Sequence, residues 1–145
     1  LMTAFDMMNF DDISDAPPTI PIGEYVVKIM DAKVLDKKDG SGKYISYRTI
    51  VQGGPHAGYS IRGLYSLGAD QVWRFKRDVK ALSVPIPQGL SVFEAAEAFA
   101  QEINGVDVTA KIGSKTRQVK TEDGSYVNDP DGAQENTVAR FIALA

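Results

Sequence analysis

The sequence predicts a mainly β domain with a helical insertion. Three segments with the alternation typical of strands precede residue 66, two segments with helical spacing lie between residues 72 and 103, and two more alternating segments follow. With 145 residues, the chain is long enough for one domain with its own hydrophobic core. We expect an extended acidic N-terminal arm over residues 1–22 and a folded domain over residues 23–145.

The first three strands have clear sequence signals. Tyr25–Met30 is rich in β-branched and aromatic residues and predicts a first strand, which extends toward Leu35. Glycine-containing turns over residues 36–43 and 52–58 bracket a second strand, and a third covers Tyr59–Tyr65. Alternation in the second strand predicts one buried side, formed by Ile45, Tyr47, Thr49 and Val51, and one outer side, formed by Tyr44, Ser46 and Arg48.

Two helices are predicted after the third strand. The first has an apolar stripe at helical spacing, formed by Val72, Phe75, Val79 and Leu82. The second begins at Ser91, which forms a capping box with Glu94, and ends before Gly105. Its predicted apolar side comprises Phe93, Ala96, Phe99 and Ile103.

The C-terminal part completes the fold prediction. Val106–Ile112 and Val138–Leu144 are expected to be strands, and the polar segment 113–136 a loop with a short hairpin arm around Arg117–Lys120. The order β-β-β-α-α-β-β is that of an OB-like fold, a five-stranded Greek-key barrel. Another α+β sandwich with the same order is the alternative.

The composition argues against most catalytic centres. The chain has no cysteine and one histidine, His56, which excludes thiolate ligands and disulfides and nearly excludes a zinc site. Gly40–Lys43 lacks the earlier glycine and the following Ser/Thr of a phosphate-binding loop. Asp123, Asp129, Asp131 and Glu135 do not have the spacing of an EF-hand. We therefore expect a protein that is not an enzyme and has no cofactor or metal.

The charge is unevenly distributed along the chain. The net charge is −3, but residues 1–22 contain four aspartates and no basic residue, whereas residues 23–65 contain seven basic and four acidic residues. Because local fields decide where a polyanion binds, the acidic total does not exclude a nucleic-acid partner.

Residues 21–65 contain turn and strand motifs that resemble a known family. The motifs are Pro21-x-Gly23-x-Tyr25-x-Val27-x-Ile29, then Gly42-Lys43-Tyr44, then Gly53-Gly54-Pro55-x-x-Gly58, with Asn136-x-Val138 further on. They resemble small phage-encoded single-stranded-DNA-binding proteins found beside recombination and replication genes. The resemblance implies an OB-like fold and a place in the host-cell cytoplasm. Such proteins often end in an acidic tail, whereas this chain ends in Phe141-Ile-Ala-Leu-Ala145.

Single-stranded DNA is bound by basic residues that follow the phosphates and by aromatic faces on which bases stack. The second and third strands and the turn before them offer one such group of residues, and a basic run after the fourth strand offers another. If the fold is OB-like, these groups form two walls of one groove. The predicted nucleic-acid-binding residues are Lys37, Lys38, Lys43, Tyr44, Arg48, Arg62, Lys111, Lys115, Arg117, Lys120 and Tyr126.

Trp73 lies off the apolar stripe of the first helix, on a basic side that includes Arg77. Because burying a tryptophan side chain is strongly favourable, a tryptophan on the basic side of a helix indicates a contact that covers it. A second subunit, the N-terminal arm, a base and a local cation–π contact with Arg77 are the alternatives, and we expect Trp73 and Arg77 to form an interaction surface.

Two functions follow from these observations. The first is sequence-independent binding of single-stranded DNA in phage replication or recombination, with the protein itself and phage recombination or replication proteins as further partners. The second is a phage protein–protein interaction or assembly module on the same barrel, without nucleic-acid binding. No apolar stretch approaches the roughly 20 residues of a membrane span, so no membrane partner is expected.

Overall fold

The structure is a computed structural model that describes residues 2–4, 6–13 and 16–145. The gaps all lie in the predicted N-terminal arm. The described elements are a 3-10 helix at Phe10–Asp12, β1 (Gly23–Asp36), β2 (Lys43–Val51), β3 (Ser60–Ser66), α1 (Val72–Leu82), α2 (Val92–Ile103), β4 (Asp107–Thr116), β5 (Gln118–Lys120), β6 (Tyr126–Asn128) and β7 (Gln134–Leu144).

The chain forms two compact units. The larger unit comprises Ile20–Ser114 and Asn136–Ala145 and contains the main sheet and both α-helices. The smaller unit comprises the described part of residues 1–19 together with Lys115–Glu135, and it contains the β5–β6 hairpin. Ile20 is buried in the larger unit, where its N–H donates to Asn136 Oδ1 at 2.8 Å.

The main sheet has five antiparallel strands in the order β3-β2-β1-β4-β7. The prediction of a mainly β fold with a five-stranded sheet is confirmed. The prediction of a closed barrel is wrong, because β3 and β7 remain the two edges of an open sheet. Helix α1 connects these two edges, because the Asp78 carboxylate accepts hydrogen bonds from Tyr65 on β3 and from Phe141 on β7.

Both helices form where the sequence predicts them. Phe75 and Leu82 are buried, and Val72 and Val79 pack against the core, as the apolar stripe of α1 requires. The capping box of Ser91 and Glu94 is present, with Ser91 N–H donating to Glu94 Oε1 at 3.1 Å and Glu94 N–H to Ser91 Oγ at 3.2 Å.

The apolar side predicted for α2 is wrong at one position. Ala96, Phe99 and Ile103 are buried, but Phe93 is exposed. Phe93 lies in the first turn of α2, and the Lys43 ammonium lies 5.8 Å from the centre of its ring. A cation–π contact therefore covers a ring that the helical spacing predicted to be in the core.

The core depends on the alternation of side chains along β2 and on a close contact between Tyr47 and Gly63. Ile45, Tyr47, Thr49 and Val51 are all buried, which confirms the predicted inner side of β2. The Tyr47 ring crosses Gly63, its direct partner on β3, so closely that a Cβ built on Gly63 would lie 2.4 Å from the ring. Only glycine allows this contact, which also places Tyr47 5.4 Å from the rings of Tyr65 and Phe141.

The prediction of a loop over residues 113–136 is wrong at its two ends and right for its hairpin arm. β4 continues to Thr116, β7 begins at Gln134, and β5 and β6 form a hairpin between them, which confirms the short hairpin arm. Most residues of this hairpin are exposed on both sides. A hairpin without a buried face has no apolar alternation, so periodicity does not show where its two strands begin and end.

Candidate nucleic-acid interface

The outward side of β1, β2 and β3 has direct cross-strand rows of side chains. We call this side the basic face. Its rows, from strand register, are Lys28–Ile50–Ser60, Met30–Arg48–Arg62, Lys33–Ser46–Leu64 and Leu35–Tyr44–Ser66. The face is open and mostly polar, and Leu64 is exposed upon it.

Arg48 and Arg62 lie directly opposite each other on β2 and β3. Like charges in this arrangement repel, so the pair calls for a counter-charge. Asp31 supplies one, since its carboxylate lies 3.1 Å from Arg48 Nη2. Arg62 is exposed and has no ion pair among the described residues. The row therefore has more positive than negative charge.

Asp31 reaches Arg48 because β1 is irregular there. The pairing register of β1 with β2 shifts between Met30 and Lys33, and Asp31 has a φ of 56°, in the left-handed region. Aspartate tolerates this conformation better than most residues. The bulge also turns Ala32 into the core and leaves Lys33 on the basic face.

A cleft of about 440 Å³ opens on the basic face at this bulge. It is lined by Asp31, Ala32, Lys33, Ser46, Tyr47, Arg48 and Arg62. Small-molecule pockets are lined mainly by hydrophobic and aromatic side chains, so this cleft is more typical of a contact for a charged group. Arg48 Nε is buried within it and has no hydrogen-bond partner among the described residues.

The turn between β1 and β2 carries the predicted lysines. Its backbone is fixed by Lys37 N–H donating to Gly42 O at 2.8 Å, and by Asp39, which accepts bonds from Ser41 that lower its pKa. Lys37 Nζ donates to Ser66 Oγ at 3.1 Å, and Lys43 Nζ lies 2.7 Å from Asp36. Lys38 is exposed.

Tyr44 is half-buried on the basic face, between Leu35 and Ser66. The larger unit thus brings Lys37, Tyr44, Arg48 and Arg62 together on or beside one face. Lys43 alternates with Tyr44 along β2 and lies on the other side of the sheet, where its ammonium contacts Phe93 of α2. Lys111 is not part of that group, because it lies on β4, opposite Glu24, and β1 separates β4 from β2.

The remaining predicted residues gather in the smaller unit. Lys115 pairs with Glu135 at 3.4 Å, and Arg117 pairs with the buried Asp129 at 3.6 Å. Lys120 lies directly opposite Tyr126 across the hairpin, and the Tyr126 side chain is 66% exposed. The two basic groups thus belong to different compact units, and the groove with two walls stays a prediction.

Asp31 and Lys33 were missed by the sequence reasoning. Their positions depend on the β1 bulge, and an Asp-Ala-Lys sequence within a predicted strand gives no signal of one. A bulge moves a side chain to the other face, so strict alternation misplaces every residue beyond it.

Trp73 is 54% exposed, as its position off the apolar stripe predicts. The guanidinium carbons of Arg74 and Arg77 each lie 5.4 Å from its ring centre, so the local cation–π contact with Arg77 is present. More than half of the side chain nevertheless stays accessible, and neighbouring Lys76 and Lys80 are also exposed.

Asp78 lies on the same helix and is buried, at 1% exposure. Its carboxylate accepts bonds from Tyr65 Oη at 2.5 Å, Arg77 Nε at 2.9 Å and Phe141 N–H at 3.3 Å. Arg77 Nη2 also donates to Ala139 O at 3.3 Å. Burial and the nearby Asp78 charge raise the pKa of Tyr65 well above its usual value. This network joins β3 to β7 through α1.

No known protein family matches the sequence, and no curated protein matches it significantly. In the part of the chain that the structure describes, no helix has the length and apolarity needed to cross a membrane. The same part contains no group of three or more His, Asp or Glu side chains arranged to hold a metal ion.

Proposed function

We propose that this protein binds single-stranded DNA without base preference, through the basic face of β1, β2 and β3. The observation that carries the proposal is the Arg48–Arg62 row on an open face, in which Arg48 pairs with the exposed Asp31 and Arg62 has no ion pair among the described residues. A phosphate would supply the missing negative charge, and guanidinium groups bind phosphate in a bidentate manner.

Tyr44 supports a single strand rather than a duplex. It lies on the same face as Arg48, and its partial exposure offers a ring edge or face to a base. Bases are free to stack on aromatic rings only when they are unpaired, and such stacking contributes about 1–3 kcal/mol per base.

The strand order of the main sheet supports the same proposal. The order β3-β2-β1-β4-β7 is the order of a five-stranded Greek-key barrel opened between its third and last strands. In OB-folds the face of strands two and three binds oligonucleotides. We place the protein in phage replication or recombination because residues 21–65 resemble single-strand-binding proteins encoded beside such genes.

The proposal is tested by fluorescence anisotropy with a labelled strand of about 30 nucleotides and with its duplex, each at several salt concentrations. We expect tighter binding to the single strand, similar affinities for mixed and homopolymeric sequences, and binding that weakens as salt rises. Duplex binding of equal or greater affinity would contradict the proposal, as would affinity that does not depend on salt.

An assembly module that binds only protein is the second candidate. The net charge of −3 and the exposed Trp73 favour it. The anisotropy experiment distinguishes the two, because a pure assembly module would bind neither form of DNA.

A further inference from the structure

The outward side of α1 combines an exposed tryptophan with basic residues. The guanidinium groups of Arg74 and Arg77 each lie 5.4 Å from the centre of the Trp73 ring, and Lys76 and Lys80 are exposed on the same helix. The aromatic surface is therefore held in place and surrounded by positive charge. This combination suits a ligand that is both acidic and apolar.

An apolar groove adjoins this side of α1. It has a volume of about 390 Å³ and runs between α1 and the segment that leads into α2. Its walls include Lys76, Val79, Val84, Ile86, Pro87 and Leu90. The groove can hold a few large apolar side chains, and Lys76 places a positive charge at its border.

The N-terminal segment of the same sequence has the complementary composition. Residues 2–13 contain Asp6, Asp11 and Asp12 and no lysine or arginine. Among the described residues of this segment, Phe10 is 83% exposed and Met7 is 73% exposed. The 3-10 helix at Phe10–Asp12, capped by Asn9, fixes an aromatic ring beside two carboxylates. An exposed cluster of large apolar residues often marks an interaction site.

We propose that residues 2–13 of one copy dock on the basic side of α1 in a second copy. Phe10 and the methionines enter the apolar groove, and Asp11 and Asp12 pair with Lys76 and Lys80. In this contact the segment of one chain meets the helix of another. This inference is independent of DNA binding.

The chain has a single tryptophan, so its fluorescence reports this surface alone. We would measure tryptophan emission and sedimentation velocity for the full chain over a concentration series from about 1 to 200 μM. Docking predicts self-association that weakens as salt rises, accompanied by a blue shift of the emission. The variant Lys76→Glu/Lys80→Glu should associate about tenfold more weakly, because two exposed ion pairs are lost and replaced by repulsion.

A charge exchange provides the decisive comparison. Combining Lys76→Glu/Lys80→Glu with Asp11→Lys/Asp12→Lys should restore association, whereas the matched variant Lys38→Glu/Lys111→Glu should associate like the original chain. Sedimentation as a monomer at all concentrations would overturn the proposal. A shift of the Trp73 emission that does not depend on protein concentration would also overturn it. So would quenching of the Trp73 emission by an oligonucleotide but not by a peptide of residues 2–13.

Discussion

Two aspartate–arginine pairs in the larger unit use the same chemistry in different surroundings. Asp31 pairs with Arg48 at 3.1 Å, and the two side chains are 62% and 41% exposed to solvent. Asp78 pairs with Arg77 at 2.9 Å, but Asp78 is buried and also accepts bonds from β3 and β7. An exposed pair exchanges readily with other ions, whereas a buried pair cannot lose one partner without a large cost. Burial thus separates a replaceable contact from a structural one.

The sharpest test of this comparison is Asp78→Ala. The substitution leaves the Tyr65 hydroxyl, the Phe141 N–H and the Arg77 guanidinium without their shared acceptor. We expect a loss of about 3–5 kcal/mol in the free energy of unfolding, seen in urea denaturation, and a melting temperature lower by roughly 10 °C. Asp31→Ala is the matched control and should cost less than about 1 kcal/mol. Equal losses for the two variants would contradict the distinction.

The buried network should also fail at high pH. Burial raises the pKa values of Tyr47 and Tyr65 above 10 in the folded state, so the folded protein holds protons that the unfolded chain releases. Stability is therefore intact below pH 10 and falls above it, by about 1.4 kcal/mol per tyrosine at pH 11. The free energy of unfolding should be measured between pH 8 and 11. In Tyr65→Phe the decline should be shallower than in the original chain, and an unchanged decline would count against this role.

Removing the arginines of the basic face should affect binding and not folding. We expect Arg48→Ala/Arg62→Ala to weaken binding to single-stranded DNA by about tenfold or more. The salt slope should fall by roughly 1.4, since each lost phosphate contact on a single strand contributes about 0.7. Anisotropy titrations at several salt concentrations measure both quantities. Lys111→Ala is the control, because Lys111 lies on β4, beyond β1. Unchanged affinity in the double variant would remove the basic face from the proposed site.

The smallest expected effect on DNA affinity comes from changing the exposed Asp31–Arg48 pair. Asp31→Asn removes the carboxylate that competes with phosphate for Arg48, so single-stranded DNA should bind about threefold more tightly. The variant Asp36→Asn, which removes the exposed partner of Lys43, provides the comparison at the turn. If Asp31→Asn weakens binding instead, then Asp31 positions Arg48 for the ligand and does not compete with it.

The sequence predicted those parts of the fold that have a buried side. The inner side of β2, the stripe of α1 and the capping box of Ser91 were all identified because burial or capping restricts residue type at fixed spacing. The hairpin arm around Arg117–Lys120 was predicted, but the extension of β4 to Thr116 and of β7 back to Gln134 was not, because the added residues are not buried. The prediction of a closed barrel was also wrong. The position of Asp78 in the sequence does not show whether its carboxylate is a buried hydrogen-bond acceptor or an exposed charge, so its bonds to the edge strands β3 and β7 could not be predicted.

The candidate site was predicted in part for a similar reason. Arg48 and Arg62 followed from alternation, because both strands are regular. Asp31 and Lys33 depend on a bulge that strand patterns do not encode. Residue spacing also did not indicate that Lys115, Arg117 and Lys120 belong to a separate compact unit, because that depends on tertiary contacts.

The bonds that α1 makes to β7 have a consequence for solubility. An edge strand offers free N–H and C=O groups to which a strand from another molecule can add, and long edges of this kind promote aggregation. On β7, the Phe141 N–H and the Ala139 carbonyl are already occupied by Asp78 and Arg77. Helix α1 therefore shields this edge from strand addition, and a chain in which α1 detaches would be prone to form intermolecular sheets.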